Sequence, residues 1–105
     1  MPDAIASDFV NRLVLTAALA QVYPLRHTPV GLPALDMVLE HQSQTEQLGQ
    51  ARQVRLELRA TAFGAQAEQL ARQALGSGFQ FTGFLTNSRN GKGVVLQIQD
   101  FTPIP

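Results

Sequence analysis

The sequence predicts an all-β fold with one helix, a small five-stranded Greek-key barrel. Three observations predict it. Residues 54–60, Val-Arg-Leu-Glu-Leu-Arg-Ala, alternate strictly between apolar (Val54, Leu56, Leu58, Ala60) and charged (Arg55, Glu57, Arg59) side chains, and a period of two sends the two sets to opposite faces of a strand. Four further stretches gather leucine, valine or phenylalanine between turn-forming residues. A single stretch, 64–75, carries a helical period, and it falls between the third and fourth of the five strands.

Taken in order, residues 1–8 are small and polar and are expected to form a flexible N-terminal segment outside the fold. They hold Asp3 and Asp8 with no basic region or apolar run, so they do not read as a signal peptide. Residues 9–105 then form a single domain. The first strand spans 9–19, with Leu13 and Leu15 on one face and Val14 and Thr16 on the other. Residues 23–33 contain Pro24, Pro29, Gly31 and Pro33, which oppose ladder pairing and suit a long connection carrying Arg26 and His27 near its tip. The second strand, 35–41, points Leu35, Met37 and Leu39 inward and Asp36, Val38 and Glu40 outward.

Residues 42–53 have only Leu48 and Ala51 as apolar residues and include Gly49, which predicts a mobile loop. The third strand, 54–60, follows. In the helix, Ala67, Leu70, Ala71 and Ala74 recur at helical spacing, and Gly76-Ser77-Gly78 stops it. The fourth strand, 79–86, places Phe79, Phe81, Gly83 and Leu85 on one face and Phe84 on the other, with Gly83 suited to a barrel bend or bulge. Residues 87–93 form a hairpin loop around Asn90-Gly91, a pair that favours positive φ, and 94–101 form the fifth strand. Five short strands with the helix between the third and fourth describe an OB-fold, a barrel whose face and loops bind oligonucleotides or oligosaccharides.

Composition narrows the classes further. Eight basic and eight acidic residues balance, so any polyanion must be met by local clustering and not by a global field. The absence of cysteine removes disulfide and thiolate chemistry and fits a reducing cytoplasm, the expected location, with no membrane partner. There is no glycine-rich phosphate loop, nucleophile elbow or suitably spaced carboxylate pair, so a binding protein and not an enzyme is expected, without cofactor. His27 and His41 are too far apart, with no supporting carboxylate pattern, to make a metal site. Phe79 and Phe81 read as core, and Tyr23, beside Pro24, as either core or base-stacking.

Several stretches together resemble the primosomal replication protein N (PriB) family, itself similar to bacterial single-stranded DNA-binding protein. They are Asn11-Arg12-Leu13-Val14-Leu15, Pro24-Leu25-Arg26 with Gly31-Leu32-Pro33, Val38-Leu39-Glu40-His41, Gly83-Phe84, and Asn90-Gly91 before the last strand. The resemblance implies a homodimer of OB-folds that binds single-stranded DNA and bridges the PriA helicase to later loading factors at stalled forks. Outward Val38, Phe84 and Val95 would form an apolar patch suited to the dimer contact. The sequence departs from the family at two places. Where the family holds DNA with aromatics on the third strand and the preceding loop, this chain has Arg55 and Gln50, and Gln42 stands where an arginine is frequent.

Cations remain for the phosphates. Arg26, Arg52, Arg55, Arg59, Arg89 and Lys92 come from the regions that face one groove in an OB-fold, and are the expected single-strand DNA-binding residues. The alternative is a protein interaction module that stimulates a helicase with little DNA affinity of its own, which zero net charge and the missing aromatics favour.

Overall fold

The structure is a computed structural model describing residues 7–104. Of the expected N-terminal segment, residues 1–6 lie outside the described residues; Ser7 and Asp8 form an exposed turn. The elements run β1 (Leu13–Val22), β2 (Arg26–His27), β3 (Pro33–Gln47), β4 (Gln50–Phe63), α1 (Ala65–Ala71), β5 (Gly78–Asn87) and β6 (Val94–Pro103). The strands follow the order β1-β5-β6-β4-β3-β2, and a further β1–β3 pairing closes the sheet. Five long strands therefore form the closed barrel of an OB-fold, with β4 and β6 its one parallel pair among the described residues. The helix lies between the third and fourth long strands; it stands between β4 and β5 only because the two-residue β2 is counted.

Closure requires a sharp bend, and Gly83 supplies it. The β5–β6 register shifts between Thr82 and Gly83, and a Cβ at Gly83 would stand 2.0 Å from the Gln97 carbonyl oxygen. Only a residue without a side chain lets the two backbones approach this closely.

The inward residues of β1, β3, β4, β5 and β6 meet in one core whose largest fully buried members are Leu19, Leu35, Met37, Leu39, Leu70, Phe81 and Leu96. Phe79 and Phe81 are core residues, as expected, and Phe101 meets Phe79 edge-to-face at 5.4 Å. Helix α1 contributes Ala67 and Leu70 to this core. It is shorter than the predicted 64–75, because beyond Ala71 no apolar face remains to bury: Ala74 and Leu75 are exposed. The chain instead turns back to β1, where Leu19 N–H donates to the Ser77 carbonyl and Gly76 N–H to the Leu19 carbonyl.

Residues 42–53 are not a loop. β3 and β4 pair without interruption from Ala34 opposite Phe63 to Gln47 opposite Gln50. β1 leaves β3 beyond Glu40, so the seven pairs from His41–Leu56 to Gln47–Gln50 project from the barrel as a two-stranded ribbon about 20 Å long. Polar residues on both faces erase the period of two, which is why the strands were invisible; the register is inherited from the barrel end. Leu48 (φ 54°) and Gly49 (φ 79°) close the ribbon, two consecutive positive φ values that match a type I′ turn.

Two side chains fasten the start of the fold. The Asn11 amide donates to the Leu85 carbonyl at 2.7 Å and accepts from Leu85 N–H at 3.0 Å, imitating one more β-pair ahead of β1. At the point where β1 and β3 diverge, His41 Nδ1–H donates to the Thr16 carbonyl at 2.7 Å, and Nε2 lies 2.8 Å from Ser43 Oγ. A carbonyl can only accept, so the proton sits on Nδ1.

Candidate functional site

The outward residues of the barrel form cross-strand rows that the register defines. One row runs Gln21, Val38, Arg59, from β1 across β3 to β4, and the parallel β4–β6 register continues it to Val95. The adjacent row runs Asp36, Thr61, Gln97, Phe84. A hollow of about 490 Å³ opens over these rows, walled by the β5–β6 loop through Ser88, Arg89 and Asn90 and by Tyr23. A second, of about 390 Å³, adjoins it over Ala20, Gln21, Val38 and Glu57. Tyr23 and Arg59 line both, so the two hollows form one groove.

Asp36 organises one end. Arg26 donates to it through Nε (2.7 Å to Oδ2) and Nη2 (3.1 Å to Oδ1), and the Thr61 hydroxyl donates to Oδ1 at 3.0 Å. The Arg89 guanidinium stands 3.6 Å from Oδ2. The Arg26 hydrogen bonds, with that from Thr61 and the charge of Arg89, hold the Asp36 carboxyl below its usual range although partial burial opposes them. The hydrogen bonds to Asp36, with its charge, raise Arg26 in turn, against the opposing effect of burial. Asp36, expected only to point outward from the second strand, is the ion-pair partner that ties β2, β3, β4 and the β5–β6 loop together.

The six expected cations therefore do not share one surface. Arg59 and Arg89 meet in the groove, and Arg89 keeps 76% of its side chain exposed beyond its 3.6 Å contact with Asp36. Lys92 is exposed on the same loop. That loop is stiffened internally: Ser88 N–H donates to the Gly93 carbonyl, Lys92 N–H to Asn90 Oδ1, and the Ser88 hydroxyl lies within reach of Asn90 Oδ1 and the Lys92 carbonyl, which compete for its one proton. Arg55 sits further along the outer face, opposite Gln42, whose amide oxygen, turned toward it, accepts from Nε at 3.1 Å and Nη2 at 3.2 Å. Arg26 is committed to Asp36, so it is a structural cation more than a free one. Arg52 falls on the other face of the ribbon, since the pleat separates even from odd positions, and it donates to Gln47 at 3.2 Å.

Two acidic residues interrupt the basic track. Glu57 lies between Arg55 and Arg59 on the outer face of β4, and Glu40 stands directly opposite it on β3. Like charges in facing positions repel, and they also repel phosphate. Of the three apolar residues expected at a dimer contact, Val38 and Val95 lie in the groove on either side of Arg59, and Phe84 lies in the next row. They are half-buried groove-side residues, not a separate patch, because the barrel's curvature brings β3, β4 and β6 onto one face.

Sequence reasoning missed Asp36, Thr61, Ser88 and Asn90 as members of this site. Asp36 and Thr61 become neighbours only through the β3–β4 register. The Ser88 and Asn90 roles were foreshadowed by an Asx-type turn signal in the loop.

A closed OB barrel with a projecting β-ribbon and a partly basic groove over its third strand defines a protein of the oligonucleotide-binding class. A family model described as "another single-strand binding protein family" matches residues 11–100. The chain is 41% identical over 80 residues to the replication restart protein PriB of Bordetella pertussis, covering 76% of this chain and 75% of that one. It is similar in structure to PriB from Ralstonia solanacearum, with a TM-score of 0.81, 33% identity and coverage of 90% and 98%. The wild-type single-stranded DNA-binding protein of Thermus aquaticus is more distant, with a TM-score of 0.72 and 27% identity over 91% of this chain and 50% of that one. The chain belongs to this single-strand binding family, among the PriB replication restart proteins.

Proposed function

We propose that the protein binds single-stranded DNA as an accessory factor of replication restart, helping the PriA helicase and later loading factors to assemble at stalled forks. It acts by binding and transfer, not catalysis, in the cytoplasm beside the chromosome. One observation carries the DNA-binding part: the groove in which Arg59 and Arg89 converge, with Lys92 on the same loop and Arg55 along the outer face. These offer four cations to a phosphate backbone without a deep cleft, as a sequence-tolerant strand binder requires. Affinity for a single-stranded 30-mer beside its duplex tests it, with tighter binding to the single strand expected; equal affinities count against it.

A homodimer accompanies this reading. Residues 13–17 of β1 pair with β5 on one side and with no strand on the other among the described residues, and Val14 on this stretch is half exposed. An unpaired edge accepts a second copy readily, and a contact there leaves the groove open, whereas one through Val38 and Val95 covers it. Sedimentation at micromolar concentration should give twice 11.4 kDa.

The second reading, an interaction module with little DNA affinity, is favoured by the commitment of Arg26 to Asp36 and by the Glu40–Glu57 pair. Replacing Arg89 and Lys92 by alanine separates the two. Oligonucleotide binding weakens under the first reading, and helicase stimulation survives under the second.

A further inference from the structure

The expected stacking position on β4 carries Arg55, so a flat surface for bases must lie elsewhere if the strand is held by more than charge. Three of the six phenylalanines, Phe79, Phe81 and Phe101, pack on one another in or against the core. Phe63 and Phe84 are half-buried, and Phe9, though exposed, lies outside both hollows of the groove. Tyr23 is different. It follows the last residue of β1, its backbone N–H is fixed to the Asp36 carbonyl at 3.0 Å, and Pro24 restrains the chain beyond it. The residue is 42% exposed and lines both hollows, as does Arg59.

Each hollow falls in the range of about 300–1,000 Å³ typical of small-ligand sites. An aromatic ring anchored at its backbone between two such spaces, with guanidinium groups beside it, has the parts that sequence-tolerant strand binding uses: a π-face for the base and cations for the phosphates on either side. The geometry points to Tyr23 as the base-stacking platform of this chain, taking one nucleobase in the groove while Arg59 and Arg89 hold the adjoining phosphates. This inference rests on the single-strand reading above and adds to it the residue that meets the base. Because every base has a π-face, the platform accepts any of them; the hydroxyl is dispensable.

The chain has one tyrosine and no tryptophan, so its tyrosine emission reports on Tyr23 alone. The full-length protein is titrated with a thymidine 30-mer at low salt. Tyrosine emission is corrected for absorption with free tyrosine amide, and binding is followed independently by anisotropy of a labelled strand. Emission should fall along the anisotropy isotherm. Tyr23→Ala should weaken binding by about five- to one-hundred-fold and Tyr23→Phe by less than about twofold. On an abasic strand of equal length, wild type and Tyr23→Ala should bind alike. Anisotropy change with unaltered tyrosine emission and an unaffected Tyr23→Ala overturns the platform alone. Equal weakening of Tyr23→Ala on the abasic strand also overturns it, by showing a structural role. No anisotropy change at all overturns the single-strand reading, and the platform with it.

Discussion

Arg26 and Asp36 form a bidentate ion pair, with Nε 2.7 Å from Oδ2 and Nη2 3.1 Å from Oδ1, each side chain a little over one quarter exposed. The pair joins β2 to β3, and Thr61 extends it to β4, so it braces the sheet edge from which Tyr23 and the groove rise. Its contribution depends on pH in a definite direction. The folded Asp36 carboxyl is held below its unfolded value, so the stabilisation is complete above the unfolded carboxylate pKa, near 3.9, and is lost as pH falls through the lower folded value. Asp36→Asn, which cannot titrate, should be less stable than wild type at pH 7 by about 1–3 kcal/mol. The gap should narrow as pH falls below about 4. Urea midpoints measured from pH 7 to pH 2.5 check this, and a constant gap refutes the assignment.

Salt should weaken DNA binding steeply. If Arg55, Arg59, Arg89 and Lys92 neutralise four phosphates, log K falls with log salt at a slope of about −2.8, roughly fifty-fold between 50 and 200 mM. Arg59→Ala and Arg89→Ala should each reduce the slope by about 0.7. Arg52→Ala, on the other face of the ribbon, should leave it unchanged. A flat salt titration by anisotropy contradicts the electrostatic groove.

Glu57→Lys should strengthen both DNA binding and the fold. It replaces a facing Glu40–Glu57 pair by opposite charges, worth about 0.2–1 kcal/mol, and joins Arg55 to Arg59 in an unbroken basic track. Higher affinity for the 30-mer together with a raised melting temperature is the expected outcome; an affinity equal to or below that of wild type shows that the strand does not follow the outer face of β4.

Gly83→Ala should be severely destabilising, because the added methyl meets the Gln97 carbonyl and not a side chain that can turn away. Overpacking of this kind costs about 1–3 kcal/mol even where side chains can adjust, and backbone at 2.0 Å leaves less room to adjust. Thermal unfolding of the variant against wild type measures it.

Leu48→Asn should stabilise the ribbon. A leucine at φ 54° is strained, asparagine tolerates that region, and the side chain is 97% exposed, so nothing in the chain's own packing is lost. Slower amide exchange at Thr45 and Arg52 beside the turn, with an unchanged barrel, is the expected signature.

The barrel was legible because its strands are half-buried. Alternation at 35–41 and 79–83 records which side chains enter the core, but of the apolar face of 54–60 only Leu58 and Ala60 reach it, since Val54 and Leu56 lie on the projecting ribbon. The single helical period marks the only helix among the described residues. The extent of that helix was overread, since alanine favours helix whether or not it is buried, and only Ala67 and Leu70 find the core. Of the ribbon, only His41 and residues 54–56 at its base were legible as strand. Neither of its faces is covered, so no burial pattern is written into 42–53, and backbone hydrogen bonds continued from the barrel define it instead.

The sequence by itself determined the succession of barrel strands and helix along the chain, the inward sets of 35–39 and 79–83 and the bend at Gly83, each of which depends on neighbours along the chain or on a residue type that alone fits. Its stock of cations was also plain. Only the tertiary structure decided which of them are available, because that depends on charges brought together from distant positions. Asp36 claims Arg26 across a turn and approaches Arg89 from the opposite end of the chain, Glu40 faces Glu57 through register, and Arg52 is carried to the far face of a ribbon. The pairing of Tyr23 with Arg59 along one groove has the same origin: the end of β1 pairs with β3, which pairs in turn with β4 at Arg59, a meeting no local spacing encodes.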